Sequence, residues 1–417
     1  MLVEFRVKNF RSIREEQCLS LVAAKDAAHK ETHLLATGIH AVPHLLKSAV
    51  IYGPNAGGKS NLIRALEFMQ GVVATSATQT REGDLFNYSA FMLDAVSSKQ
   101  PSEFELTFID QGVRFQYGFS LMPERVVEEW LLVYKSAKPQ MWFSRRFDPD
   151  GGKDLYEFGP HLTGKRSLWK ESTRSNALFL SKAVDLNSEG LRPIYSWITK
   201  KLRIIGAGDR PPFHASILHA KTEEGKTELL RFLEAADLGI VGLVASDEKK
   251  LKQIIKMGLT ADGKPAAVYA EMPMPVFLHQ VEDIVAKIDL EDESAGTQKF
   301  FAFASFVINI LKDGCVWVVD ELDGSFHPLL VRFLIGLFHS IDNNKNGAQL
   351  IFTTHDVSIL NTEIFRRDQI WFIEKDQTQS SKLYPLTDFS PRQKEAIDRG
   401  YLIGRYGALP FITNFNL

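Results

Sequence analysis

Cysteine is almost absent from this chain: of 417 residues only Cys18 and Cys315 carry a thiol. Two thiols cannot build a disulfide framework or a zinc cluster, so neither is expected to hold the fold. Charge of one sign is lacking too. The formal net charge is -2, which excludes a surface coated for DNA while leaving room for a local basic groove. No apolar run approaches the length of a membrane span, and Met1-Leu2-Val3-Glu4 enters an alternating strand rather than a signal peptide. Internal repeats, low-complexity tracts and sustained heptads are missing, which argues against a long coiled-coil arm. What remains is 45% apolar and 24% charged, the balance of a globular protein with two or three domains. It reads as cytoplasmic, reduced and not membrane-bound.

Val3 to Val7 alternates, turns at Asn9-Phe10-Arg11-Ser12, and Gln17 to Val22 returns as a second strand. A short buried strand, Ser48 to Tyr52, then runs into Gly53-Pro54-Asn55-Ala56-Gly57-Gly58-Lys59-Ser60, followed by a helix from Asn61 to about Met69. This is G-x-x-x-x-G-K-S between a strand and a helix, the context a phosphate loop requires. Its glycines let successive backbone N–H groups curl round a phosphate. Lys59 adds a point charge, and Ser60 offers a hydroxyl to Mg²⁺. A chance glycine-rich turn would not fix three residue types in that context.

The stretch from Glu293 to Pro328 complements it. Ser294-Ala295-Gly296-Thr297-Gln298 is a small-residue turn opening an amphipathic helix, Lys299 to Lys312, and bare N–H groups at a helix start favour anions. A serine that merely caps the helix would explain Ser294 equally. Cys315 to Val319 is a buried strand ending in Asp320 and Glu321, where open α/β sheets place their ligands. Asp320 fits a magnesium ligand together with Ser60. Glu321 falls on the opposite face if the strand continues, but at a strand end it can turn to act as general base on an attacking water. Another buried strand, Gln349 to Thr353, leads to Thr354-His355-Asp356, making His355 a candidate γ-phosphate sensor. Arg11 is either a nucleotide contact or a surface arginine.

Elsewhere, Glu103 to Phe158 reads as an antiparallel β-meander. From Asn176 the spacing predicts helices over Ala177–Leu186, Leu191–Leu202, Thr227–Ala236 and Glu248–Met257. The runs Lys200-Lys201-x-Arg203 and Lys249-Lys250-x-Lys252 read as solvated helix faces. Leu329 to Ser340 is a helix and Gln369 to Glu374 a strand.

Phosphate loop, serine–glycine turn with its helix, acidic strand and histidine strand come in the order used by ABC-type ATPases. VEFRVKNFRSI, ESAGTQ, DELDGSFHP, QLIFTTHD and YLIGRYGALPFI together resemble the RloA- and AbiL-like ATPases of bacterial anti-phage systems, near the SMC, RecF and OLD-type heads. The likeness covers about two thirds of the chain. One departure is Ala56-Gly57, where many relatives have Gly-Ala, a swap expected to change little. The resemblance implies an α/β ABC-type head in three parts: an N-terminal lobe (1–171), a helical insertion (172–274) and a C-terminal lobe (275–417). ATP and Mg²⁺ are the implied cofactors. Gly53 to Asn61 would bind nucleotide, and Lys59, Glu321 and His355 would take part in its hydrolysis. Ser294 and Gly296 would reach the γ-phosphate held by a second subunit, so a homodimer bridged by ATP is implied. The stretch after His355 is too short for the Toprim nuclease of OLD-type proteins, which points to a separate effector such as a nuclease or toxin. The alternative is a DNA-repair or structural-maintenance ATPase that clamps DNA; a transporter motor fits poorly.

Overall fold

The computed structural model describes residues 1–209, 213–236, 239–259, 265–324, 326–392 and 395–410, with backbone alone over 247–259 and 265–272. The chain opens with β1 (Leu2–Lys8), β2 (Gln17–Ser20), the single turn α1 (Lys30–His33), β3 (Leu34–Ile39), β4 (Val42–Leu46) and β5 (Ser48–Tyr52). A long helix, α2 (Lys59–Thr75), leads to β6 (Ser102–Asp110), β7 (Val113–Met122), β8 (Arg125–Tyr134), β9 (Gln140–Asp148) and β10 (Lys153–Phe158). Then come α3 (Arg166–Ser172), α4 (Phe179–Asp185), α5 (Arg192–Ser196) with a π-helical turn at Trp197–Lys201, and β11 (Leu202–Ile205). The middle holds α6 (Phe213–His219), α7 (Glu223–Glu234), β12 (Ile240–Leu259), β13 (Pro265–Val281) and β14 (Ile284–Asp289). The last part runs α8 (Ala295–Asp313), β15 (Val316–Val319), α9 (Pro328–His339), β16 (Gln349–Thr353), β17 (Ile370–Lys375), β18 (Ser381–Pro385) and α10 (Ile397–Leu402).

Two compact units result, the first built from Met1–Ala207, Leu311–Asp323 and Leu334–Leu417. Its central sheet has the order β11-β15-β16-β5-β17-β18, parallel throughout except for the β18 edge. β5, β15 and β16 are buried at every residue, because neighbours cover both faces of a parallel sheet. Register matters most here. Thr353 pairs with Ile51, and Val319 with Phe352, so the carboxyl ends of β5, β15 and β16 finish level with one another.

The expected meander is the bulk of a seven-stranded antiparallel sheet, β10-β9-β8-β7-β6-β1-β2. Alternation puts Phe104, Leu106 and Phe108 of β6 on its buried face. These join Leu62, Ile63, Leu66 and Met69 of α2 and Ile51 and Ile351 of the central sheet in one core. α2 thus carries the phosphate loop on a helix packed in the main core. A buried Glu129 accepts the N–H groups of Phe179 (2.6 Å) and Leu180 (2.9 Å), and Arg145 donates to the carbonyl of Ala177 (2.6 Å) and to Asp154 (2.7 Å). That cluster fastens the start of α4 to the meander.

The second unit comprises Gly208–Ile310 and Gly324–Phe333. Phe232, Phe300 and Phe333 form one aromatic contact group there, and the Ser216 hydroxyl donates to the Phe301 carbonyl (2.7 Å). It holds the expected helix over Thr227–Ala236 as α7. The helix expected over Glu248–Met257 is instead part of β12, which pairs with β13 from Lys250↔Pro273 to Leu259↔Pro265. Leu251, Ile254, Ile255 and Met257 satisfy helical spacing, but pairing to the next segment overrides so short a pattern.

Candidate functional site

At the carboxyl end of β5 the chain turns sharply, and the turn is shaped by what presses on it. A Cβ at Gly53 would fall onto the Ile373 carbonyl oxygen, and one at Gly58 onto the Ser381 hydroxyl. A Cβ at Gly57 would come within 2.9 Å of the same Ile373 oxygen. Gly58 has φ 118° and Ala56 φ 63°, both left-handed. The Ala-Gly order is therefore not neutral. Position 57 lacks room for a methyl group, while Ala56 bears a strain of roughly 1 kcal/mol that glycine would avoid. Ser381 also donates to the Gly57 carbonyl (2.8 Å) and pairs with the Ser12 hydroxyl (2.7 Å), to which the Asn61 amide donates (2.7 Å).

Gly58, at the start of α2, gives no side-chain cap, and the first intrahelical bond runs from Leu62 N–H to the Gly58 carbonyl (3.1 Å). The N–H groups of Lys59, Ser60 and Asn61 are thus left for an acceptor outside the helix. Lys59 is buried and folds back, donating to the carbonyls of Gly53 (2.7 Å) and Pro54 (3.2 Å). Burial pulls its pKa down, while Asp320, Glu321 and Asp323 act in the opposite sense. A desolvated ammonium over the loop suits phosphate oxygens, and the nearby carboxylates could adjoin them only through a cation. Asn55 is exposed and Pro54 and Ser60 are half-buried.

β15 delivers the acids. Asp320 is buried, and its Oδ1 accepts the Thr353 hydroxyl (2.6 Å), whose oxygen in turn accepts the Glu321 N–H (2.7 Å). Glu321 has φ 56°, so the chain leaves strand geometry there and the Glu321 side chain is exposed. Glu321 thus departs from the strand alternation that would set the two acids on opposite faces. Among the described residues the Asp320 Oδ2 makes no hydrogen bond, and no group of three His, Cys, Asp or Glu side chains could hold a metal. A cation completed by Ser60, Asp320, water and phosphate oxygens, all hard donors, fits that inventory.

His355 follows β16, is exposed, and donates its N–H to Asp323 (3.1 Å); the Asp323 Oδ1 is buried with no partner among the described residues. Tyr52 donates to the Asp356 carbonyl (3.1 Å), pinning the turn beyond the histidine. Arg11 is exposed with φ 51°, its N–H bonded to the Ser89 carbonyl (2.8 Å), on the turn that Ser12 ties to the phosphate loop. Sequence reasoning missed Thr353, Ser381, Ser12 and Asp323. Thr353, Asp323 and Ser12 lie within the motif stretches named above, whereas Ser381 carries no local signal.

Ser294 and Gly296 lie in the second unit. The Ser294 hydroxyl accepts the Thr297 N–H (3.1 Å), and the Gln298 amide donates to the Glu293 carbonyl (2.9 Å). Ser294 is an N-cap in fact, and it is exposed as well.

Among solved structures, the SMC head domain from Thermotoga maritima is similar at 12% identity and a TM-score of 0.42, covering 92% of this chain and 98% of that one. Curated proteins give no match. Residues 48–361, well over half the chain, match the family described as "AAA domain, putative AbiEii toxin, Type IV TA system". With phosphate loop, acidic strand and histidine strand all inside the matched span, this chain belongs to that AAA-domain family.

Proposed function

We propose that the chain hydrolyses ATP at a site shared by two copies of itself, and that the resulting opening and closing gates a separate effector in an anti-phage defence system. The observation that carries the hydrolytic part is the bridge from Asp320 through the Thr353 hydroxyl to the Glu321 N–H, level with Lys59 at the sheet end. Gly53 to Asn61 would cradle the phosphates. Ser60 and Asp320 would hold Mg²⁺, which when bound neutralises phosphate charge. Glu321, turned out of the strand, would receive the proton of the attacking water, and His355 would sense the γ-phosphate. Ser294, exposed at the start of α8, supports a role opposite a second copy's nucleotide. Among the described residues no helix is long and apolar enough to cross a membrane. The matched family's description, which refers to a toxin–antitoxin system, supports a defence role.

Glu321→Gln tests the reading. ATP and Mg²⁺ binding should persist while turnover falls at least a hundredfold and an ATP-bound dimer accumulates by light scattering. Hydrolysis within a few-fold of wild type would move the base elsewhere. Co-purification of the native operon's products with this variant, with mass spectrometry, tests the effector.

A further inference from the structure

Lysine is almost never buried without a partner. Lys47 is only 4% exposed as a residue; its ammonium reaches solvent and forms no hydrogen bond or ion pair with any described residue. It sits between β4 and β5, its N–H donating to the His33 carbonyl (2.8 Å) and its carbonyl accepting from Leu350 (2.9 Å), so its backbone is fixed on both sides. Burial alone depresses its pKa, without an opposing carboxylate, and its charge helps keep His33 and His339 neutral. The side chain lines a cleft of about 610 Å³ at the amino end of the central sheet, away from the nucleotide site. Glu31 lines the same cleft but forms no ion pair with Lys47; Lys345 adds a second cation.

The other walls decide the kind of ligand. Leu34, Leu35 and Ala36 are consecutive residues of β3, and Ile341 faces the same space. β3 pairs with β4 alone, and among the described residues its other edge carries no ladder. The 341–347 wall is stiff, because the Asn344 amide donates to the carbonyls of Phe338 (2.7 Å) and Ala348 (2.9 Å). A nucleic acid would want a row of exposed cations, whereas this cleft has two, an acid and a largely apolar wall. We propose that the cleft binds an extended acidic–apolar peptide segment of a partner protein, adding a strand to the free edge of β3 and placing one carboxylate on Lys47. Main-chain bonds along an open edge give such a peptide its affinity, and side-chain pockets its selectivity. A single charge-assisted pair supplies the register.

The test is selection of displayed random heptapeptides on the full chain, followed by fluorescence anisotropy with the winning sequence. Acidic residues flanked by apolar ones should be enriched. The winner should bind at least tenfold more weakly when its acid is replaced by the amide, and equally so to Lys47→Met, with ATPase activity unchanged. Bound peptide should slow hydrogen exchange in β3. Should Lys47→Met not fold, Lys345→Glu on the rim must itself weaken binding at least tenfold. No acidic enrichment, binding indifferent to these substitutions, protection outside β3, or saturation by acetate or succinate with no gain from a peptide would each overturn the proposal. So would an oligonucleotide that binds where no peptide does.

Discussion

Replacing Thr353 by valine removes one hydroxyl and almost no volume, at a residue with no exposed surface. Two hydrogen bonds go with it: the one given to Asp320 (2.6 Å) and the one accepted from the Glu321 N–H (2.7 Å). A bond to a charged group contributes about 1.5–3 kcal/mol and a backbone bond about 1 kcal/mol, so Thr353→Val should cost about 2–4 kcal/mol. The functional loss has a different origin. Asp320 loses the contact that fixes its rotamer, and Glu321 the one that fixes its left-handed turn. Outer contacts of this kind are worth about 10–100-fold in metal affinity or activity. Urea unfolding of the nucleotide-free protein measures the first effect, and ATPase rate against Mg²⁺ concentration the second, where the half-saturating Mg²⁺ should rise about tenfold or more. Thr353→Ser, which keeps the hydroxyl, should restore most of both. A valine variant within about 0.5 kcal/mol of wild type and with an unchanged Mg²⁺ curve would refute the bridge; so would a serine variant as poor as the valine one.

Gly57→Ala should lose nucleotide affinity at least tenfold in equilibrium binding, since its Cβ would press on the Ile373 carbonyl at 2.9 Å, whereas Ala56→Gly should bind normally and unfold at equal or slightly higher urea. Equal behaviour of the two variants would contradict the loop geometry. Burial lowers the His33 pKa from 6.5 to about 4, in a stack with His339 at 3.6 Å. The neutral form belongs to the fold, so this contribution is complete above the unfolded value and is lost as pH falls toward the folded one. Linkage gives about 2 kcal/mol lost between pH 7 and 5 from His33 alone, and His33→Gln should flatten that slope in urea titrations. Ser294→Arg and Lys59→Ala should each be inactive in ATPase assays, and a mixture of the two should regain activity if each site is shared between copies; a mixed dimer demonstrated to form yet inert would count against sharing.

How much of this was legible beforehand follows from where each signal lives. The apolar middles of β5, β15 and β16 announced buried strands, and the acids and glycines at their carboxyl ends announced the site. β11 did not: Leu202–Ile205 follows a helical segment without punctuation and was expected to begin as that helix's last residue, yet a parallel ladder to Val316–Val319 claims it. Pairing partners more than a hundred residues away leave no local trace. The same holds for Ser381, whose role exists only because Gly57 and Ser12 arrive beside it. Left-handed dihedrals at Ala56 and Glu321 are equally invisible in composition, since nothing but the surrounding contacts enforces them.

The Ser381 clamp also sets an order of events during synthesis. Gly57 leaves the ribosome 324 residues before the hydroxyl that holds it, and Ile373, which crowds Gly53 and Gly57, is almost as late. A nascent chain can therefore contain every residue of the phosphate loop and still lack the surface against which the loop is moulded. The loop can take the shape described above only once β17 and β18 have been made and have docked against it.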